Sequence, residues 1–261
     1  MILDAASGTP GLTWAPVLPG LAKHVRVIAY DRAGLGMSDP AIPFTAETSV
    51  EDLIALLTDA VPGPCVLVGS SWGGLLAQRV AWAVPELISG LVLVDPAHEE
   101  FQPLVGRLAD EAFARVFAVQ KTLGLAERFI RKGASRAAQV ATRDQRVQEL
   151  LVDAELACYA HKHQIRTAMA ENRMVRNQIR TLRRLRASSQ LPDVPVMVLS
   201  ATEGLPKDMR ARWTELQAQI ASTAERGEHS EVPEAGHYIH QSQPEVVTRA
   251  VLDVVERAGL R

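Results

Sequence analysis

Residues 69–73, GSSWG, place a serine between two glycines in the pattern G-x-S-x-G. The pattern follows the apolar run Cys65 to Val68 and precedes a stretch with helical spacing, which predicts a strand, a sharp turn and a helix. In such a turn Ser71 projects its hydroxyl group while the helix N-terminus lies beneath it. Ser70 does not fit, because Val68 would occupy its first glycine position. We therefore predict Ser71 as a nucleophile.

A serine hydroxyl is a poor nucleophile at neutral pH and needs an adjacent base, for which histidine, with an ordinary pKa of about 6.5, is well suited. His237 ends the segment PEAGH after the last predicted strand and is the best candidate. His240, three residues later, is the competitor, and we interpret it as structural or as a residue that lines the substrate pocket.

Short apolar runs alternate with helical segments along most of the chain, which predicts an α/β fold with a doubly wound, mostly parallel sheet. The predicted strands are Met1 to Leu3, Val25 to Tyr30, Cys65 to Val68, Leu91 to Val94, Val194 to Leu199 and, more weakly, Glu228 to Val232. The predicted helices are Trp14 to Leu21, Val50 to Ala60, Gly73 to Ala83, Asp208 to Thr223 and Glu245 to Ala258. Ser49 with Asp52, and Ser242 with Glu245, have the spacing of capping boxes.

The alternation breaks between Glu99 and Gln190, where apolar residues keep helical spacing. We predict that residues 99–190 form an all-helical lid, and that residues 1–98 and 191–261 form the core. This stretch holds 17 Lys and Arg against 10 Asp and Glu, whereas the rest of the chain holds 11 against 20. Its arginine cluster at positions 173, 176, 180, 183, 184 and 186 is interpreted as a solvated helix face or as a surface that docks on the acidic core.

Three segments together resemble the α/β-hydrolase superfamily, in its lid-bearing serine esterase branch. They are the GSSWG turn, YDRAGLGMSD at residues 30–39, and Gly236-His237 followed by QPE at residues 243–245. The resemblance covers essentially the whole chain and implies a sheet that lacks the family's first two strands. It also implies that His237 lies on a loop over the GSSWG turn.

The resemblance implies two possible places for the acid that orients the histidine. Asp95 ends the strand Leu91 to Val94 and is followed by Pro96, as the first place requires. At the second place Gly204 stands where the family commonly has aspartate, and Glu203 lies one residue early. We favour Asp95 and keep Glu203 as the alternative.

An oxyanion hole needs two backbone N–H groups. The resemblance assigns the first to Trp72, the residue after the nucleophile. The family's common His-Gly appears here as Ala5-Ala6, so Ser7 is the candidate for the second. Relatives usually have two strands before this point, and fraying of the first strand would misplace the Ser7 amide. Low activity is therefore expected unless upstream residues are restored.

These residues predict a serine hydrolase that cleaves a small, largely apolar ester through an acyl-enzyme on Ser71. Amide, thioester and lactone substrates stay open, whereas the family's haloalkane and epoxide hydrolases rely on an aspartate at this position. The lid is expected to supply the pocket, with Phe113, Phe117, Met174 and His240 as lining. The alternative is a non-catalytic protein of this fold that binds a ligand or a partner.

The composition is that of an ordinary globular protein, with 47% apolar residues and a formal net charge of -2. The even charge balance excludes a general affinity for nucleic acid or anionic membranes, so the expected partner is a small-molecule substrate. The sequence has no metal-ligand spacing and no nucleotide-binding glycine loop, so no metal or cofactor is expected. Two cysteines, no secretory leader and no membrane-spanning run predict a cytoplasmic protein, monomeric or homodimeric.

Overall fold

A computed structural model describes residues 1–40, 44–101, 112, 115–116, 119–120 and 124–260. The six strands of these ranges are β1 (Ile2–Asp4), β2 (Ile28–Ala29), β3 (Cys65–Ser70), β4 (Ile88–Val94), β5 (Val196–Ala201) and β6 (Gly227–Val232). Their helices are α1 (Leu18–Leu21), α2 (Ala46–Ala60), α3 (Trp72–Ala83), α4 (Ala126–Ala141), α5 (Gln145–Ala160), α6 (Lys162–Asn177), α7 (Ile179–Ser188), α8 (Lys207–Ser222), α9 (Ile239–Ser242) and α10 (Pro244–Arg257). Two 3-10 turns lie at Gly11–Trp14 and Pro85–Leu87.

All six strands are parallel and form one sheet in the order β2-β1-β3-β4-β5-β6. The central strands β3 and β4 are apolar and buried on both faces because helices cover the sheet from each side. Two separate clusters of buried apolar side chains result, one on each face. The predicted doubly wound α/β class is confirmed. Because every strand points the same way, the carboxyl ends of β1, β3 and β4 meet at one edge of the sheet.

The N-terminal strand lies inside the sheet. Residues 2–4 pair with β2 on one side and with β3 on the other. The edge strand next to β1 is β2, which comprises only Ile28 and Ala29 of the predicted run Val25 to Tyr30. The segment that follows β1 is therefore anchored by a strand with neighbours on both sides.

Both predicted helix caps are wrong. Helix α2 begins at Ala46, four residues before the predicted start, because Thr45 and Thr48 form the capping box through reciprocal side-chain to backbone hydrogen bonds. Ser49 lies inside that helix, where its hydroxyl donates to the carbonyl of Thr45. Helix α10 has Gln243 at its N-cap without a side-chain hydrogen bond, and Pro244 is its first residue.

Helices α4 to α7 lie between β4 and β5 in the chain, and we call residues 126–188 the helical segment. Two of its arginines bind acidic residues that follow β4: Arg183 with Glu100, and Arg186 with Glu99. These pairs agree with the interpretation of the arginine cluster as a docking surface, whereas Arg173, Arg180 and Arg184 are exposed. Among the helices of the described ranges, none combines the length and the apolar character needed to cross a membrane.

Candidate active site

Ser71 lies at the turn between β3 and α3 in a left-handed conformation, with φ of 52° and ψ of -115°. The turn is tied to β4, because the Ser71 amide donates to the carbonyl of Val94 at 3.1 Å. The two flanking glycines are required sterically. A Cβ atom at Gly69 would overlap the backbone of Gly73, and one at Gly73 would overlap the carbonyl oxygens at the end of β1. The strained turn therefore needs the small residues that the sequence supplies.

Ser71, His237 and Asp95 form a continuous hydrogen-bonded chain. The Oγ atom of Ser71 lies 2.9 Å from Nε2 of His237, and Nδ1 of the same ring lies 2.6 Å from Oδ2 of Asp95. The imidazole side chain is 43% exposed, whereas Asp95 is buried at the carboxyl end of β4. The arrangement has the geometry of a nucleophile, a base and an orienting carboxylate.

The second carboxylate oxygen of Asp95 is also hydrogen-bonded. Its Oδ1 atom accepts hydrogen bonds from the indole Nε1 of Trp213 at 2.7 Å and from the amide of Ala201 at 3.0 Å. These donors fix the carboxylate in one orientation, so that Oδ2 faces the imidazole. Asp95 itself has a φ of 47°, which places a strained residue next to the strained Ser71 turn.

The alternative acid, Glu203, lies elsewhere. Its side chain is 57% exposed and its carboxylate is 3.9 Å from Arg210. Its amide donates to the carbonyl of Ala235. The structure thus brings Asp95, and not Glu203, to the imidazole of His237.

The two candidate oxyanion donors come from different elements of the fold. Trp72 is the first residue of α3, where the amide is not used by the helix. Ser7 follows β1 and lines the same cavity as Ser71, and its hydroxyl donates to Oδ1 of Asn172 at 2.7 Å.

A cavity of about 610 Å³ opens beside Ser71 and His237. One wall is the segment that follows β1, and the opposite wall comes from α4, α5 and α6. The lining supplied by these helices is mainly apolar: Phe129, Ile130, Gly133, Ala134, Ala137, Ala138, Leu151, Glu155, Tyr159, Gln164, Ile165, Ala168, Met169 and Asn172. Across the part of the chain that is described, no group of three His, Cys, Asp or Glu side chains could hold a metal ion.

The alpha/beta hydrolase family model matches residues 6–250. The chain belongs to the alpha/beta hydrolase family. RutD of Pantoea ananatis, named a carbamate hydrolase, is 25% identical over 261 residues, which cover 98% of this chain and 88% of RutD. BpoC of Mycobacterium tuberculosis, named a non-heme bromoperoxidase, is 32% identical over 140 residues, 51% of this chain and 53% of BpoC. The crystal structure of wild-type Cfl2 from Burkholderia cenocepacia is similar with a TM-score of 0.73 at 25% identity, over 97% of this chain and 86% of Cfl2.

Two of the four pocket residues predicted for this α/β hydrolase are wrong. Met174 is not part of the cavity lining and instead belongs to the buried apolar cluster that includes Trp72. His240 is fully buried and its ring contacts that of Trp14, with centroids 4.4 Å apart and the ring planes tilted by 34°. Burial, followed by the nearby His237, lowers the pKa of His240 to about 3, so this ring is neutral and structural. Phe113 and Phe117 lie outside the described residues.

Sequence reasoning missed a buried ionic cluster around Arg32. The guanidinium group donates to both oxygens of Glu171 on α6, at 2.7 and 2.9 Å, and to Asp4 at the end of β1. It also donates to the carbonyl oxygens of Ala5 and Ala6 at 2.7 and 2.8 Å. Although burial opposes the charge, Glu171 and Asp4 raise the pKa of Arg32 above its ordinary value.

The same cluster holds the segment that carries Ser7. The amide of Gly8 donates to Oε2 of Glu171 at 2.6 Å, and the carbonyl of Gly8 accepts from Gln164 at 3.0 Å. Residues 5–8 are therefore clamped between Arg32 and helix α6. Arg32 belongs to the YDRAGLG segment, but nothing in that segment indicates a partner 139 residues away.

Proposed function

We propose that this chain is a serine hydrolase that cleaves small, largely apolar esters through an acyl-enzyme on Ser71. The observation that carries the proposal is the hydrogen-bonded chain from Ser71 through His237 to Asp95 at the mouth of a mainly apolar cavity. A serine nucleophile disfavours epoxide and haloalkane substrates. The name of RutD describes carbamate hydrolysis, and a carbamate carbonyl can be attacked in the same way, so the substrate panel includes carbamates with esters, amides, thioesters and lactones.

In the proposed mechanism Oγ of Ser71 attacks the carbonyl carbon while Nε2 of His237 takes the hydroxyl proton. Asp95 holds the imidazole in the tautomer with a proton on Nδ1 and stabilises the imidazolium. The amides of Trp72 and Ser7 donate to the developing oxyanion. The imidazolium then returns its proton to the leaving alkoxide. Water attacks the acyl-enzyme with His237 again as base, which releases the acid and restores the serine.

We also propose the division of the chain that this mechanism needs. Residues 1–98 and 191–261 carry the catalytic groups, and residues 99–190 act as the cap that supplies one wall of the cavity. The contribution of α4, α5 and α6 to that wall supports this division. A cap that excludes water would favour the acyl transfer step and would select substrates by shape.

A fluorophosphonate probe tests the nucleophile directly, because the activated serine displaces fluoride and becomes phosphonylated. We expect the wild type to be labelled and Ser71→Ala to be unlabelled. The matched control is Ser70→Ala, since Ser70 is the adjacent serine and is fully buried. A folded wild type without labelling, or labelling that survives in Ser71→Ala, would contradict the proposal and favour a binding protein.

A second pair of variants tests the acid. Asp95→Asn should lower kcat by about 10⁴-fold, the size of this effect in serine proteases, because the imidazole loses its orienting carboxylate. Glu203→Gln should leave kcat unchanged, since its carboxylate is exposed and pairs with Arg210. Turnover of p-nitrophenyl esters of graded chain length is the measurement. An equal loss in both variants would be the contrary result.

A further inference from the structure

Among its described lining residues, the cavity beside Ser71 has a single carboxyl group. Among the described residues that line it, the ionisable side chains are Glu155, His237 and the phenols of Tyr159 and Tyr238. No lysine and no arginine belongs to that described lining, and the remaining side chains are apolar or neutral. The cavity therefore presents one acidic group and, within the described lining, no permanent cation.

Helix geometry places Glu155 on the cavity side of α5. Leu151, Glu155 and Tyr159 follow one another at four-residue intervals, so they form one stripe on the helix, and all three line the cavity. Burial raises the pKa of the Glu155 carboxyl above its ordinary value. Burial, followed by the negative charge of Glu155, also raises the pKa of Tyr159. Both shifts agree with a carboxyl group that is partly withdrawn from water and faces the same space as the phenol.

The carboxylates that are buried in the described structure have a charged or N–H donor partner, whereas Glu155 is half-buried. Asp4 and Glu171 bind Arg32, Glu99 binds Arg186, and Asp95 binds His237 and Trp213. For Glu155, burial is the influence that moves its pKa, and no cation of the described residues lies within ion-pair distance. Partial burial removes part of the hydration of this carboxylate, and no cation of the described residues offsets that loss. A ligand that brings an N–H donor would offset it.

We infer that Glu155 is a specificity residue, which selects substrates whose end remote from the scissile carbonyl carries an ammonium group. The substrate preference in this inference rests on the proposed function, whereas the binding of an ammonium group by Glu155 does not depend on it. The apolar side chains of α4 and α6 would contact the hydrocarbon part of such a substrate, and Glu155 would bind its cationic end. The same negative charge would reject substrates that end in a carboxylate.

The kinetic experiment compares three p-nitrophenyl esters of equal acyl length at pH 7.5: heptanoate, 6-ammoniohexanoate and the adipate half ester. We expect kcat/KM to be about tenfold to a hundredfold higher for the ammonium ester than for the neutral one, the range of a hydrogen bond between charged groups. The adipate half ester should be the poorest substrate. In Glu155→Gln the ratio of kcat/KM for the ammonium ester to kcat/KM for heptanoate should fall to about one.

The matched control is Asp153→Asn, which removes a carboxylate from the same helix. Asp153 is 70% exposed and lies 3.8 Å from Arg131 at the surface, so its removal should keep the ammonium preference. A loss of preference in both variants would indicate a general charge effect and overturn the inference. Equal rates for the ammonium and neutral esters in the wild type would overturn it as well.

A pH series separates a charge effect from a packing effect. Protonation of Glu155 removes its negative charge, so the ammonium preference of the wild type should decline as the pH falls through the raised pKa of this group. The preference of Glu155→Gln should show no such decline. A preference that is independent of pH in both proteins would contradict the assignment to Glu155.

A binding experiment keeps this inference distinct from the proposed reaction. Ser71→Ala is titrated with hexylammonium and, separately, with 1-hexanol, and the heat of binding is measured. Tighter binding of hexylammonium, lost in Ser71→Ala/Glu155→Gln, supports the specificity role even if no ester is hydrolysed. Equal affinity for the two ligands overturns it even if ester hydrolysis is observed.

Discussion

Two sets of ionic contacts join the helical segment to the sheet, and they differ in burial. Arg32 binds Glu171 and Asp4 with side chains that are 4% exposed or less. Arg183 binds Glu100 with side chains that are 56% and 34% exposed. Both use the same chemical groups in a forked geometry. Only the buried set also holds backbone groups of residues 5–8, next to the candidate catalytic serine.

The contrast shows that the contribution of charged residues to stability depends more on where they lie than on how many there are. The arginine-rich face of α6 and α7 dominates the charge pattern of the sequence, yet several of its members are exposed. A single arginine after β2 forms the cluster on which the candidate oxyanion segment depends. Exposed pairs contribute little because water and salt screen them, whereas a buried charge that loses its partner destabilises the fold strongly.

The largest expected effect follows Arg32→Met. This change leaves the carboxylates of Asp4 and Glu171 buried without their cation, and breaking a buried pair in this way costs about 3–5 kcal/mol. Urea unfolding measures the free energy of unfolding. The matched control is Arg183→Met, the same substitution in the exposed set, which should leave the urea midpoint almost unchanged. Equal losses in the two variants would refute the contrast.

The next effect concerns catalysis by way of Glu171. In Glu171→Gln the Gly8 amide and Arg32 lose a charged acceptor, so the segment that carries Ser7 loses part of its clamp. We expect kcat for the best ester of the panel to fall by about tenfold to a hundredfold, approaching the loss of one oxyanion donor, while KM changes little. Glu100→Gln, the equivalent change in the exposed set, is the control. A rise in KM at constant kcat would assign Glu171 to substrate binding instead.

The residues of the candidate site could be proposed from the sequence where the signal is local. Ser71 is marked by glycines that its turn requires sterically, and Asp95 is marked by a strand end followed by proline. Trp213 and Glu171 were missed because their hydrogen-bond partners lie 118 and 139 residues away in the sequence. Neither residue belongs to a local sequence pattern that would indicate its partner. Hydrogen bonds over such separations depend on how α6 and α8 pack, which residue spacing does not encode.

The same limit applies to the fold. Alternating apolar runs predicted the parallel sheet, since buried strands must be apolar on both faces. Met174 and His240 were wrong as pocket residues. The residue type alone does not distinguish an apolar or aromatic side chain that faces a cavity from one that faces the core. The cap of α2 was misplaced because Thr48, a threonine, replaces the Glu or Gln that usually completes a capping box.

An intermediate effect concerns His98, beside the partly buried pair of Arg186 and Glu99. Burial, followed by the positive charge of Arg186, lowers the pKa of His98 to about 4. Between pH 6.5 and 4 the unfolded chain therefore binds a proton that the folded chain does not, so stability present above pH 6.5 is lost as the pH falls. The slope from this one group reaches about 1.4 kcal/mol per pH unit. Urea unfolding of His98→Asn at pH 7, 6 and 5 should show a smaller decline than the wild type, and identical declines would exclude His98 as a source.

The smallest effect is expected for Arg183→Ala in the exposed set. A hydrogen bond from Arg183, followed by its charge, lowers the pKa of Glu100, but both side chains are open to solvent, where salt screens the pair. Tm should fall by no more than about 2 °C in 20 mM salt, and the difference from the wild type should vanish in 0.5 M NaCl. The Arg32→Met deficit should persist at both salt concentrations, because ions do not reach that cluster. A salt-sensitive Arg32→Met deficit, or a salt-independent Arg183→Ala deficit, would show that burial does not separate the two sets.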